Sequence, residues 1–242
     1  MRRAYYIVAY YLSFLLFGLV GLGLNLVCLP LLLIPRRERL GPRVRRVVRW
    51  LFAWWVKWLN ACGIVRVRYH GFDRPIEGGV VVVANHPTLI DAPVLLARMP
   101  DATCIFKRAL MRNPFVGPAA LLAGYTSGAG GVDTVRAVAR KVAAGRSLLI
   151  FPEGTRTATG AVLGPLKAGF AVIAAHGRAP VQAVIIRATP GLVARGRPWW
   201  KFPESLPACV DVTLDRRWEV DRSCHAQQFA ARLEAHLREV LS

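Results

Sequence analysis

Residues 80–91 read VVVVANHPTLID, and the order of those letters decides the fold. A short run of β-branched apolar residues, Val80 to Ala84, predicts a strand buried on both faces, the pattern of a parallel sheet covered by helices. An Asn, a His and an Asp follow it at once, at Asn85, His86 and Asp91. In open α/β sheets the chemistry collects beyond the carboxyl ends of the strands. A second apolar run, SLLIFPEG at 147–154, predicts another buried strand that halts at Pro152, and it too runs into a polar cluster: Glu153, Gly154, Thr155 and Arg156.

Working outward, VRVRYHG at 65–71 alternates Val65, Val67 and Tyr69 with Arg66, Arg68 and His70, a half-buried strand. APVLLARM at 92–99 reads as helix and TCIF at 103–106 as extended. TVRAVARKVAAG at 134–145 reads as helix, with Asp133 or Thr134 as its cap and Gly145 as its stop. Residues 167–176 read as helix, 181–187 as extended, 209–214 as an edge-like alternating strand. Residues 223–241 form a last amphipathic helix with Phe229, Leu233, Leu237 and Leu241 on one side. Alternating strands and helices give an α/β class with a mixed, mainly parallel sheet covered by helices.

The N-terminus differs in kind. Residues 4–35 carry no charged side chain, enough for one tilted membrane helix or for two shorter ones hinged near Gly21, Gly23 and Asn25. Arg36, Arg37, Arg39, Arg43, Arg45, Arg46 and Arg49 follow, which under the positive-inside tendency places that end, and the rest of the chain, on the cytoplasmic side of the inner membrane. Trp50, Trp54, Trp55 and Trp58 at helical spacing predict a helix in the headgroup layer, with a core helix as the alternative. The division expected is 1–60 for membrane-anchoring and interfacial helices and 61–242 for the catalytic domain. Of the 242 residues 54% are hydrophobic and 19% charged, a balance that leans away from disorder and toward a chain that meets lipid; a net charge of +19 points to an anionic partner, membrane or nucleic acid. No zinc-finger or RNP-type motif is present and the arginines crowd beside the apolar segment, so the membrane is favoured and nucleic acid is not. Five scattered cysteines suggest neither a disulfide framework nor a zinc site.

A neutral imidazole is suited to take a proton from a hydroxyl, and His86 needs a partner to hold its tautomer. Asp91 is the nearest carboxylate and lies little more than one turn away if Pro87 opens a helix. A helix end capped by Asn85 or His86, with Asp91 merely solvated, fits the same letters. The second cluster is equally open: Gly154 and Arg156 suit close approach to phosphate or carboxylate oxygens, while a solvated Glu153–Arg156 ion pair at a turn would look the same.

Together the two clusters are more specific. The HxxxxD of His86 and Asp91, followed by FPEGTR at 151–156 and KAGFAVIAAHGRAPVQAV from Lys167, resembles the glycerolipid acyltransferase family, of which 1-acylglycerol-3-phosphate acyltransferase is the familiar member. The likeness covers residues 60–190. It implies that His86 is the base for a glycerol hydroxyl, that Asp91 orients it, and that Glu153, Gly154, Thr155 and Arg156 bind the acceptor. It implies a thioester donor, acyl carrier protein or coenzyme A, an acceptor like lysophosphatidate, no acyl-enzyme, no metal and no resident cofactor. Lys107, Arg108 and Arg112 could bind donor phosphates or be a solvated face.

Two departures bear on the acceptor. AGYTSGAGG at 123–131 stands where the family usually has a phosphate-binding Arg, and Gln182 and Ala183 follow Pro180 and Val181 where a second proline is common. DATCIFKRALMRNPFVG at 101–117 is similar to the aryl-polyene-pathway subgroup, which would imply a different lipid. From another class, a non-catalytic adaptor on anionic membranes would use the Arg and Trp cluster alone. ARGRPWWKF at 194–202 reads either as a second membrane contact or as a packed surface loop. Thioester hydrolysis is disfavoured, since no GxSxG is present.

Overall fold

The computed structural model describes residues 2–242 apart from 75, 77, 107, 190, 191 and 204; Lys107, one of the cations considered for donor phosphates, therefore lies outside the described residues. In chain order the elements are α1 (Arg2–Leu31), α2 (Gly41–Ala61), β1 (Val65–His70), β2 (Val81–Ala84), α3 (Asp91–Leu96), β3 (Ala102–Phe106), α4 (Arg108–Met111), α5 (Gly117–Leu122), β4 (Thr126–Ser127), α6 (Gly131–Ala143), β5 (Ser147–Ile150), α7 (Gly169–Gly177), β6 (Val181–Ala188), β7 (Ala208–Trp218) and α8 (Ala226–Leu241). The strands form one sheet in the order β1-β7-β6-β2-β5-β3-β4. Every neighbouring pair is parallel except β6 and β7.

The valines at 81–83 are apolar throughout because β2 is central and covered on both sides. Val82 and Ala84 enter a core shared with α1, α2, α3 and α5, whereas Val81 and Val83 enter the core under α6, α7 and α8. The sheet is thus the middle of three layers, the mixed and mainly parallel arrangement expected. Phe229, Leu233 and Leu237 of α8 are buried in the second core, and Leu241 packs against it.

Several expectations about individual elements are corrected. β7 is internal, paired to β1 on one side and β6 on the other. Its alternation of buried Val210 and Val212 with half-buried Cys209 and Asp211 reports one face left partly open, which in sequence looks the same as an edge. Neither Asp133 nor Thr134 caps α6. The helix begins at Gly131, where φ is +53°, and the Thr134 hydroxyl donates to the Ser127 carbonyl instead. Its stop is at Gly145 as expected, with φ +90°.

α1 is one uninterrupted helix, about 45 Å long at 1.5 Å per residue, without a hinge at Gly21 or Gly23. It is long and apolar enough to cross a membrane. Asn25 does not break it, because its amide donates to the Gly21 carbonyl one turn back as well as outward. The tryptophans of α2 mostly turn inward. Trp55 is buried and donates to the Ser13 carbonyl, Trp58 donates to the Ser13 hydroxyl, and Trp54 is half-buried, so only Trp50 presents an exposed indole. α1 and α2 thus pack on each other and on the sheet through a common core.

Candidate active site

β2 and β5 are neighbours, so the loops that leave their carboxyl ends meet. Asn85, the first residue after β2, closes the strand end: its amide donates to the Ile186 carbonyl and its oxygen accepts from the Ile186 N–H, both buried. It does not cap a helix. Pro87 does not open one either; residues 87–90 turn back, and α3 starts at Asp91 itself. That turn brings His86 Nδ1 to 2.8 Å from Asp91 Oδ2.

Asp91 is fully buried. Its carboxylate accepts from the imidazole, from the Thr88 N–H at 2.7 Å and from the Thr88 hydroxyl. Burial pushes the Asp91 carboxyl above its ordinary range, and these donors pull it back. Three donors directed at its two oxygens favour the ionised group. With Nδ1–H donating to Asp91, the lone pair resides on Nε2. The imidazole stacks on Phe151, ring centres 4.1 Å apart and planes 19° apart, and its side chain remains 19% exposed. Both torsions of His86 are therefore held while one nitrogen stays accessible.

The loop after β5 supports the loop after β2. Glu153 is buried and does not pair with Arg156. Its Oε1 accepts the His86 N–H at 2.9 Å and the Thr157 hydroxyl at 2.9 Å, and its Oε2 accepts the Gly164 N–H at 2.8 Å. The Thr157 N–H donates to the His86 carbonyl. Gly154 has φ +69°, and the Lys167 ammonium lies over the place a side chain would occupy. Arg156 Nη1 donates to the carbonyls of Val193 at 2.7 Å and Ala194 at 3.0 Å. The Val193 carbonyl also accepts the Leu89 N–H, so one strained residue, φ +43° at a buried valine, ties both loops to the segment before Trp199. Thr155 lies half-buried in the same turn.

All six expected residues thus come to one end of the sheet. Sequence reasoning missed Phe151, Thr88, Thr157 and Gly164. Thr88 was signalled, since a hydroxyl three residues before an Asp meets it across one turn. Gly164 carried no signal, because only the folded loop brings it to Glu153. The departure at Pro180–Ala183 lies at the other end: Val181 pairs with Val81 at the start of β2, and Gln182 fills the bulge between β6 and β7 by donating to the Asp215 carbonyl. The 123–131 segment lies along the sheet edge, with Thr126 and Ser127 paired to Ile105 and Phe106.

Beside the loop after β2 an apolar cavity of about 590 Å³ runs between α1, α2 and α5. Leu89 and Ile90 line it together with Phe106, Tyr125, Phe52 and Trp54.

The model of the family described as Acyltransferase matches residues 66–187. The chain is 32% identical over 116 residues to a 1-acyl-sn-glycerol-3-phosphate acyltransferase of Cocos nucifera, 45% of this chain and 37% of that protein. It is 33% identical over 115 residues to the Helicobacter pylori enzyme of the same name, 45% of this chain and 48% of that one. To the lyso-ornithine lipid O-acyltransferase of Pseudomonas aeruginosa it is 36% identical over 147 residues, 59% of this chain and 54% of that one. The matched stretches thus span from about a third to about half the length of these relatives. The crystal structure of a 1-acyl-sn-glycerophosphate acyltransferase from Thermotoga maritima superposes with a TM-score of 0.71 over 99% of this chain and 96% of that one, at 23% identity, a likeness of fold. The support reaches this group of enzymes broadly and does not single out the aryl-polyene subgroup.

Proposed function

The chain belongs to the acyltransferase family, and from that premise we propose that it moves an acyl chain from the thioester of acyl carrier protein or coenzyme A to the hydroxyl of a lysophosphatidate-like glycerolipid. The observation that carries this reading is the His86–Asp91 pair: an imidazole fixed through Nδ1 at 2.8 Å by a buried carboxylate, with Nε2 unpartnered among the described residues. Nε2 takes the proton of the acceptor hydroxyl as that oxygen attacks the thioester carbon. The C–O bond forms, the C–S bond breaks, and the imidazolium returns the proton to the departing thiolate. Asp91 stabilises the charged ring in between. A positioned base supplies about a hundred- to ten-thousandfold, and the orientation of both substrates supplies the rest.

Glu153 is a positioning residue in this scheme, since its carboxylate holds the His86 backbone and does not face the reacting atoms. Gly154, Thr155 and the edge of Arg156 away from Val193 receive the acceptor headgroup. The acyl chain enters the apolar cavity, which Leu89 and Ile90 of the loop after β2 help to line.

The chain works at the inner membrane with the catalytic end reached from the cytoplasm, residues 1–60 as anchor and 61–242 as catalytic domain. The buried residues of α1, Ala9, Tyr10 and Ser13 in its first half and Asn25 and Cys28 in its second, fasten both halves to the protein body while Leu12, Leu26 and Val27 face outward. Such a helix lies along one leaflet, and exposed Trp199 and Trp200, bound through their carbonyls to the hydroxyls of Tyr10 and Tyr11, extend the same surface.

A second acceptor reading, a lysolipid whose headgroup lacks phosphate, is favoured by the absence of Arg from residues 123–131 and by the Pseudomonas relative. Mass spectrometry of products from detergent-purified protein, given acyl carrier protein or coenzyme A thioesters with lysophosphatidate or lyso-ornithine lipid, tests both. Product from lysophosphatidate that vanishes with His86→Ala supports the first reading; product only from lyso-ornithine lipid replaces it with the second. Equal product with His86→Ala removes His86 from the chemistry, and no product from either acceptor leaves the anionic-membrane adaptor.

A further inference from the structure

At the end of the sheet away from His86, the residues just before β4 and β5 border a crevice of about 510 Å³ between the start of α2 and the last turn of α6. Arg37, Arg45, Arg140, Lys141 and Arg146 line it against one acid, Glu38. Part of this charge is already used. Arg45, 3% exposed, pairs with Asp101 and donates to the Ala123 carbonyl. Lys141 donates to the Gly124 carbonyl and the Thr126 hydroxyl, and with Arg140 it also complements the carbonyl end of α6.

A surplus remains. Neither Arg140 nor Arg146 has a side-chain acceptor among the described residues. The Nη1 atoms of Arg146 and Arg45 lie 3.4 Å and 3.9 Å from the point a Cβ on Gly124 would occupy, so glycine there leaves open the space on which two guanidinium groups converge. The crowding is felt: burial first, and then Arg146 and Arg45, hold Lys141 below its ordinary pKa, and burial first, and then Arg45, hold Arg146 below its own, with Asp101 offsetting part of the effect on Arg146. An anion entering this space relieves the repulsion, and planar guanidinium forks match phosphate oxygens.

Leu121 lines the crevice and is half exposed, and in the chain the exposed Leu33 and Ile34, 87% and 44%, lead into Arg37. A ligand here meets cations at its head and hydrocarbon at its edge. We propose that the crevice is a second lipid site, distinct from the acceptor site at the opposite end of the sheet, which binds the phosphate of an anionic phospholipid headgroup and fastens the α1–α2 connection to the membrane surface.

Native mass spectrometry of the full chain in nonionic detergent, with added phosphatidylglycerol, phosphatidylcholine or inorganic phosphate, tests this without any activity readout. The wild type retains one phosphatidylglycerol in preference to phosphatidylcholine, and Arg140→Gln/Arg146→Gln lowers that occupancy about tenfold or more, as expected for loss of charge-assisted contacts. Arg43→Gln/Arg46→Gln removes the same charge from exposed positions of α2 and leaves the occupancy unchanged. If both double variants lose lipid equally, diffuse charge is responsible and the site is refuted; the same follows if neither does. Inorganic phosphate binding as tightly as phosphatidylglycerol would overturn the lipid assignment in favour of a soluble phosphate. Circular dichroism checks folding, and Arg146→Gln alone replaces the double variant if that one unfolds.

Discussion

The contacts that hold His86 leave its Nε2 without a partner among the described residues, and this makes its proposed role testable one surrounding residue at a time. His86→Ala abolishes transfer by at least about a hundredfold in kcat/KM while the thermal midpoint stays near that of the wild type. Gly164 offers a sharper test, because a Cβ there would stand 2.7 Å from Glu153 Oε2. Gly164→Ala displaces the carboxylate whose other oxygen holds the His86 N–H, so kcat falls about tenfold or more although residue 164 meets no substrate. A Gly164→Ala enzyme with unchanged kcat would show that Glu153 does not position the base. Glu153→Ala is harsher: it strands three donors, at about 1–3 kcal/mol for each that stays buried and unsatisfied, and chemical denaturation should register the loss.

Among the elements, α1 is tied to the catalytic body by polar contacts that its apolar sequence does not advertise. Asn25 donates to the Phe115 carbonyl and accepts the Ala119 N–H, and Asn25, Phe115 and Ala119 all line the apolar cavity. Asn25→Leu leaves that carbonyl and N–H without partners, a cost of about 1–3 kcal/mol, and loosens the cavity wall. The expected result is a lower thermal midpoint together with a broader range of acyl lengths among the products. On the far side of the sheet, β1 and β7 are clipped together by Asp211, whose carboxyl is held below its ordinary range by the hydrogen bond from Arg68 and then by that from His70. A depressed folded pKa stabilises above the unfolded value and is lost as pH falls through the folded one. Urea titrations between pH 5 and 3 should therefore show a steeper loss for the wild type than for Asp211→Asn, and a small one, because the pair is partly exposed.

Taken as a whole, the molecule separates its His86–Asp91 cluster from its cationic crevice: the His86 loop occupies one end of the sheet and the crevice the other, with the apolar cavity and α1 along one face. No cysteine has a part in this scheme. Cys28 and Cys104 are buried, and the half-buried Cys62, Cys209 and Cys224 are not among the partners of His86 or Asp91, so native-state iodoacetamide at neutral pH should leave turnover unchanged; inactivation protected by the acyl donor would argue for a thiol intermediate. The central strands, both polar clusters and the apolar N-terminal segment were legible in the chain, because a doubly buried strand must be apolar at every position, a turn after it need not be, and a lipid-facing helix excludes charge. The HxxxxD spacing likewise carried His86 and Asp91. What the letters left open was partnership. Asp91 could have been solvated, Glu153 could have paired with Arg156, the tryptophans of α2 could have lain in lipid, and β7 could have been an edge. Tertiary structure decided each of these, since burial and hydrogen-bond satisfaction depend on what arrives from distant parts of the chain: Gly164 at Glu153, Val193 at Arg156, Ser13 at Trp55, and β1 alongside β7.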